Sequence, residues 1–140
     1  AVFYTSQHAA KIMMTHDGGA IVNVGSNTAQ RAIRGRCDYI AAKGGVEALS
    51  RALALELGPK KIRVNVVSPG YINTNRWETL PAEHVLRRRD NLPLDFEATT
   101  QDVADAVFYM ASPQARAITG TILTVDAGAS AQLVPLDCEV

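Results

Sequence analysis

Three short β-branched runs constrain this chain most: Ala20-Ile21-Val22-Asn23-Val24, Ile62-Arg63-Val64-Asn65-Val66-Val67 and Gly120-Thr121-Ile122-Leu123-Thr124-Val125-Asp126. Runs of this length bounded by glycine or proline read as buried strands. Long helical patterns lie between them, and strands joined through helices must cross over, which makes the sheet parallel. The fold class expected is therefore α/β. Between the first two strands, from Asp38 to Leu57, Ile40, Val46, Leu49, Leu53 and Leu57 fall mostly at three- and four-residue steps, and Gly58-Pro59 stops the pattern. Val2 to Met14 is loosely helical and ends at Asp17-Gly18-Gly19. Thr99-Thr100-Gln101-Asp102 reads as the capped start of a helix reaching about Ala111. Residues 71–98 are polar and irregular, and read as a long functional loop holding one or two short helices.

Composition limits the partners. The 14 basic residues balance 14 acidic ones, which leaves no electrostatic case for nucleic acid or an anionic membrane. An apolar share of 47% is far above that of a disordered chain. No apolar run approaches the roughly 20 residues of a membrane span, and no signal-peptide pattern opens the chain, so a cytoplasmic protein is expected. Cys37 and Cys138 make no disulfide framework, and His8, His16 and His84 are scattered without carboxylates at ligand spacing, so no metal site is expected. Ala1 opens the chain inside a helical pattern, and the first strand would leave a buried-type edge unpaired. Both features lead to the expectation that residues 1–140 are the C-terminal part of a single larger domain.

The candidate chemistry centres on Tyr39-Ile40-Ala41-Ala42-Lys43. A four-residue step on a helix puts Tyr39 and Lys43 on one face, about 5–6 Å apart at Cβ. A free tyrosine has a pKa of about 10, so exchanging a proton near neutrality requires roughly 4 kcal/mol of help. A partly desolvated ammonium beside the phenol acts in the required direction. Taken alone, the pattern is equally that of a half-buried tyrosine beside a solvated lysine. Its context adds Ser26, just after the first strand and thirteen residues before Tyr39. Ligands of parallel sheets bind beyond the carboxyl ends of the strands. Pro69-Gly70 closes the second strand at that same edge, with Thr74 four residues after Gly70.

These segments, Val22-Asn23-Val24-Gly25-Ser26, Tyr39-xxx-Lys43, Arg63 through Gly70 and Val125-Asp126-Ala127-Gly128, resemble in order the C-terminal half of a short-chain dehydrogenase/reductase. The resemblance covers nearly the whole chain. It implies a Rossmann-like, doubly wound parallel sheet to which this chain supplies the C-terminal strands and helices. It also implies an NAD- or NADP-dependent interconversion of a secondary alcohol and a ketone. Tyr39 would be the general acid/base, Lys43 would hold the nicotinamide ribose and acidify Tyr39, and Ser26 would hold the substrate oxygen. Pro69, Gly70, Ile72 and Thr74 would meet the nicotinamide end of the cofactor, and residues 71–98 would form the substrate lid. The family's glycine-rich phosphate turn matches nothing here. Gly25 stands where relatives often carry a second serine, a departure expected to cost little.

The remaining features carry two readings each. Gln30-Arg31-Ala32 resembles polyol and ketose reductases of the family, which would place Gln30 at the substrate. Trp77 could stack on substrate or cover apolar cofactor surface. Arg87-Arg88-Arg89 could clamp a phosphate or carboxylate, or form a solvated face. Cys37 could be a redox switch or an inert thiol. Gly44-Gly45 weakens its helix, a cost usually explained by close packing, here of long helices in a homo-dimer or homo-tetramer. The substrate expected is a small-molecule alcohol or ketone, with a polyol or sugar as the reading that the Gln30-Arg31-Ala32 resemblance implies. The alternatives are a 3-oxoacyl-thioester or steroid reductase, a nucleotide-sugar epimerase or dehydratase, and a non-catalytic fragment.

Overall fold

The structure is a computed structural model that describes residues 1–75 and 79–138. Its main sheet has three parallel strands in the order β1 (Gly19–Val24), β2 (Ile62–Pro69) and β5 (Ile122–Val125). Val24 sits opposite Val67, and Pro69 opposite Val125. All three strands therefore end at one edge. The central strand is the one whose apolar run is longest, because only it is paired on both sides. Ile62, Val64, Val66 and Val67 are 0–1% exposed.

Helices cover both faces. Along β2, alternate residues face opposite ways. Ile62 and Val64 pack with Ile21, with Ala10 of α1 (Val2–Met13) and with Leu53 and Ala54 of α2 (Cys37–Leu57). The intervening residues Arg63 and Asn65 serve the other face. The Arg63 guanidinium donates to the carbonyls of Met110 (2.7 Å), Ala111 (3.2 Å) and Ser112 (3.0 Å), at the end of α4 (Thr100–Ala111). A helix leaves its last four carbonyls without partners, and this cation satisfies three carbonyls at that end. The Asn65 amide, fully buried, bridges the Ile118 carbonyl and the Thr121 N–H. These two polar residues inside an otherwise apolar strand thus fix α4 and the approach to β5.

The helix boundaries follow the expected signals. Thr99 caps α4 through a reciprocal pair with Asp102. Residues 71–98 hold more order than the expected loop. Two two-residue strands, β3 (Ile72–Asn73) and β4 (Ala98–Thr99), pair in parallel and enclose α3 (Ala82–Asp90). Pairs this short carry no readable periodicity. Among the described residues no helix is long and apolar enough to cross a membrane. Both cysteines are free and exposed.

A Cβ built at Gly44 or Gly45 would meet nothing within 4 Å, so no neighbour within the chain requires glycine there. Gly45→Ala is expected to raise the urea-unfolding stability of the chain by about 1 kcal/mol, from helix propensity alone. A loss instead would show that a second copy packs on this face.

Arg89, at the end of α3, bonds to Glu97 at 2.7 Å, and the Glu97 side chain is only 9% exposed. The hydrogen bond from Arg89 holds the Glu97 carboxyl below the usual carboxylate range. Because the folded pKa is the lower one, the pair's contribution is complete above the unfolded value of about 4.3 and disappears as pH falls through the folded value. Urea midpoints should therefore drop on acidification below about pH 4.3, and Glu97→Gln should remove that part of the slope. Parallel pH profiles for the two proteins would show that the pair contributes nothing.

Candidate active site

Ser26 leaves β1 in extended conformation and caps the single turn Asn27–Ala29. It is buried, its Oγ lies 2.9 Å from Thr28 Oγ1, and it accepts from the Thr28 N–H at 3.4 Å. Its hydroxyl is thereby held in one place rather than free to rotate toward water.

Tyr39 lies in the first turn of α2 and remains 43% exposed. Lys43 Nζ stands 5.8 Å from the centre of its ring. The same ammonium donates to the carbonyl of Val24, the last residue of β1, at 2.9 Å. Two turns further along, Ser50 Oγ accepts from Asn23 Nδ2 at 2.9 Å and donates to the Val46 carbonyl. One stripe of α2 is therefore tied to the end of β1, and Tyr39 heads that stripe.

The three strand ends interlock. Asn27 donates from Nδ2 to Asp126 Oδ2 at 3.2 Å, and the Asp126 carboxylate also accepts from the Gly128 and Ser130 N–H groups. Gly70 lies between them. A Cβ at Gly70 would overlap Asp126 Cβ and reach Asn27 Nδ2 at 3.0 Å. No side chain fits there, which accounts for the glycine after Pro69. Asn27 and Asp126 escaped the sequence reading. Their signal was present, since Asn27 adjoins Ser26 and Asp126 lies in a quoted motif, but the pairing spans 99 residues.

Ser26, Tyr39, Gly70, Ile72 and Thr74 line one cleft of about 370 Å3. Thr28, Ile33, Arg36, Tyr71 and Leu80 also line it, none of them singled out from sequence as site residues. Pro69 ends β2 opposite Val125, beside the cleft rather than among its lining residues. Gln30 is not brought in: its amide turns to Glu47 Oε1 at 3.4 Å, on the α2 side. Trp77 lies outside the described residues.

The sequence model of the enoyl-(acyl carrier protein) reductase family matches residues 1–130. The chain belongs to the short-chain dehydrogenase/reductase family. It is 44% identical to human 3-oxoacyl-[acyl-carrier-protein] reductase over 125 residues, covering 89% of this chain and 50% of that one. It is 40% identical to the 3alpha-hydroxysteroid dehydrogenase of Mediterraneibacter gnavus, covering 92% and 52%. It is 38% identical to the L-xylulose reductase of Mesocricetus auratus, covering 91% and 54%. The chain spans about half the length of these curated relatives. Its fold superposes on a short-chain type dehydrogenase/reductase from Mycobacterium ulcerans with a TM-score of 0.89, at 30% identity, over 95% of this chain and 49% of that one. A 7 alpha-hydroxysteroid dehydrogenase solved with NADH and 7-oxo glycochenodeoxycholic acid gives a TM-score of 0.85 at 32% identity, covering 90% and 50%. Doubly wound short-chain dehydrogenase/reductase architecture is thus established for this part of the domain.

The residues at the cleft fit the reacting end of a nicotinamide dinucleotide. Ser26 and Thr74 offer hydroxyls and Tyr39 a phenol at the cleft, while Lys43, whose ammonium spends one of its three donors on Val24, stands beside it rather than among its lining residues. The sequence holds no glycine-rich turn of the dinucleotide-binding pattern for the diphosphate end.

Gly25 is closely enclosed. A Cβ there would sit 2.8 Å from Cγ1 of the fully buried Val66. Gly25→Ala should lower the unfolding free energy by about 1–3 kcal/mol, the cost of overpacking a core. A stability equal to wild type in urea titrations would mean that Val66 moves aside freely.

Proposed function

We propose that this chain supplies the catalytic half of an NAD(P)-dependent oxidoreductase that interconverts a secondary alcohol and a ketone. The observation that carries this reading is the meeting of a buried, hydrogen-bonded Ser26 and the phenol of Tyr39 at one cleft, closed on its other side by Gly70, Ile72 and Thr74. A bound nicotinamide supplies or takes the hydride. In the reducing direction the carbonyl oxygen gains negative charge and needs both a donor and a proton. The Ser26 hydroxyl donates to that oxygen, and Tyr39 gives it the proton from its phenol. The Lys43 ammonium stands 5.8 Å from the centre of the ring. In the oxidising direction the same phenolate takes the proton back. Lys43 and Thr74 bind the ribose and carboxamide of the cofactor, and α3 with its flanking strands forms the roof over the substrate.

The substrate is a small-molecule ketone or secondary alcohol. The polyol reading rested on the run Gln30-Arg31-Ala32; the Gln30 amide bonds to Glu47, and an L-xylulose reductase stands among the relatives. The 3-oxoacyl and steroid reductases among the relatives favour the longer substrates. Homo-oligomerisation through the long helices is supported by Phe3, Tyr4 and Ile12 of α1 and Leu55 of α2, which expose apolar surface.

In the full-length protein, Tyr39→Phe should abolish turnover of ketones while leaving cofactor affinity nearly unchanged. An unaltered kcat would remove Tyr39 from the acid/base role. Lys43→Ala should raise the cofactor Kd and lower kcat together, and ordinary cofactor affinity in that variant would contradict the ribose contact. Both are read from reduced-nicotinamide absorbance and fluorescence titration.

A further inference from the structure

A second cavity, of about 470 Å3, adjoins the catalytic cleft, and Tyr71 and Arg88 line both. One wall is cationic. Arg31 comes from the loop after Ser26, and His84, Arg87 and Arg88 come from consecutive turns of α3. The facing wall is apolar, made by Leu92 and by Leu133, Val134 and Pro135 of the C-terminal strap. Arg88 lies 4.8 Å over the ring of Tyr71, so its charge stands at the junction of the two cavities.

The strap is held in place by Asn91. The Gln132 amide donates to the Asn91 carbonyl at 2.7 Å, the Asp137 N–H donates to Asn91 Oδ1, and Asn91 Nδ2 donates back to the Arg87 carbonyl. Gln132 Oε1 is buried with no hydrogen-bond partner among the described residues, and Gln132 lines the cavity. One local anion compensates part of the cationic charge: Asp137 lies 3.2 Å from Arg87. The bond from Arg87 Nε to Asp137 Oδ2 shows that this guanidinium already pairs with a carboxylate oxygen.

We propose that the second cavity is a subsite for the far end of the substrate, and that this end carries an anionic group, a carboxylate or a phosphate monoester. This rests on the catalytic reading above and adds the substrate's chemistry. The reacting carbonyl lies at Ser26 and Tyr39, an apolar stem passes Tyr71 and runs along Leu92 and Val134, and the anion meets Arg31 and Arg87. Guanidinium groups suit both anions, because each presents paired donors matched to two oxygens. The cationic wall disfavours unsubstituted hydrocarbon tails, which would have to desolvate arginine without pairing it.

The test is an NMR titration of the full chain with two matched probe pairs: a keto fatty acid against its neutral amide, and a phosphorylated keto alcohol against the unphosphorylated alcohol. The anionic member should bind roughly tenfold tighter or more. It should shift the resonances of both Ser26/Tyr39 and His84/Gln132, and its advantage should shrink with added salt. The pair showing the larger gap identifies the anion as carboxylate or phosphate. Arg31→Ala should reduce the gap. Asp137→Asn, which removes the competing carboxylate, should widen it without altering the neutral probes. Equal affinities within both pairs, with shifts confined to Ser26 and Tyr39, would overturn the subsite and leave the catalytic reading standing. Shifts confined to His84 and Gln132 would overturn the link between the cavities. Silence from every probe would overturn the subsite, whereas the catalytic reading is judged separately by Tyr39→Phe turnover.

Discussion

The parallel pairing of β1, β2 and β5 is the constraint on which everything else depends. Val24 opposite Val67, and Pro69 opposite Val125, bring three strand ends to one edge. Ser26, Gly70 and Asp126 then follow within two residues of a strand end. Ser26 comes two residues after β1, Gly70 one after β2, and Asp126 one after β5. A slip of one residue in β2 would turn its apolar set to the wrong face and carry Gly70 away from Asp126. The burial of Val64, Val66 and Val67 prevents that slip.

On this edge the chain builds a rigid side and an open side. The rigid side is the Asn27–Asp126 contact packed across Gly70, together with the ties from Asn23 and Val24 to α2. It fixes the relative positions of the Ser26 hydroxyl and the Tyr39 phenol, which acid/base chemistry requires to be held in advance. The open side is α3 and the C-terminal strap, joined by hydrogen bonds through Asn91 and by exposed ion pairs. Exposed pairs of this kind contribute little stability. The strap can thus vary in sequence without disturbing the sheet, which suits a region that selects substrates.

Legibility in the sequence followed the range of the interaction. The helix of residues 100–111 announces itself through Thr99 and Asp102, three residues apart, and the three strands through short β-branched runs bounded by glycine or proline. Tyr39 and Lys43 were legible because one helical turn separates them. The short β3–β4 pair was not, since two residues carry no period and their partners lie 26 apart. Gln30 was misplaced for a related reason. Membership of the loop between Ser26 and Tyr39 does not say which way a side chain turns, and Glu47, seventeen residues away, decided it. The close approach of Val66 to Gly25 was not legible either, because it crosses between strands.

By itself, the order of residues determined the α/β class, the parallel sense of the strands, the helix limits and the tyrosine–lysine pair. Each of these depends on contacts within a turn of helix or on the apolar period of one element. Only the tertiary structure decided that Asn27 and Asp126 meet across Gly70, that Arg63 caps α4, and that Tyr71 and Arg88 line both the cleft of Ser26 and Tyr39 and the cavity of Arg31 and Arg87. Those contacts join residues from different elements, and their geometry exists only once the strands are in register and the helices have docked.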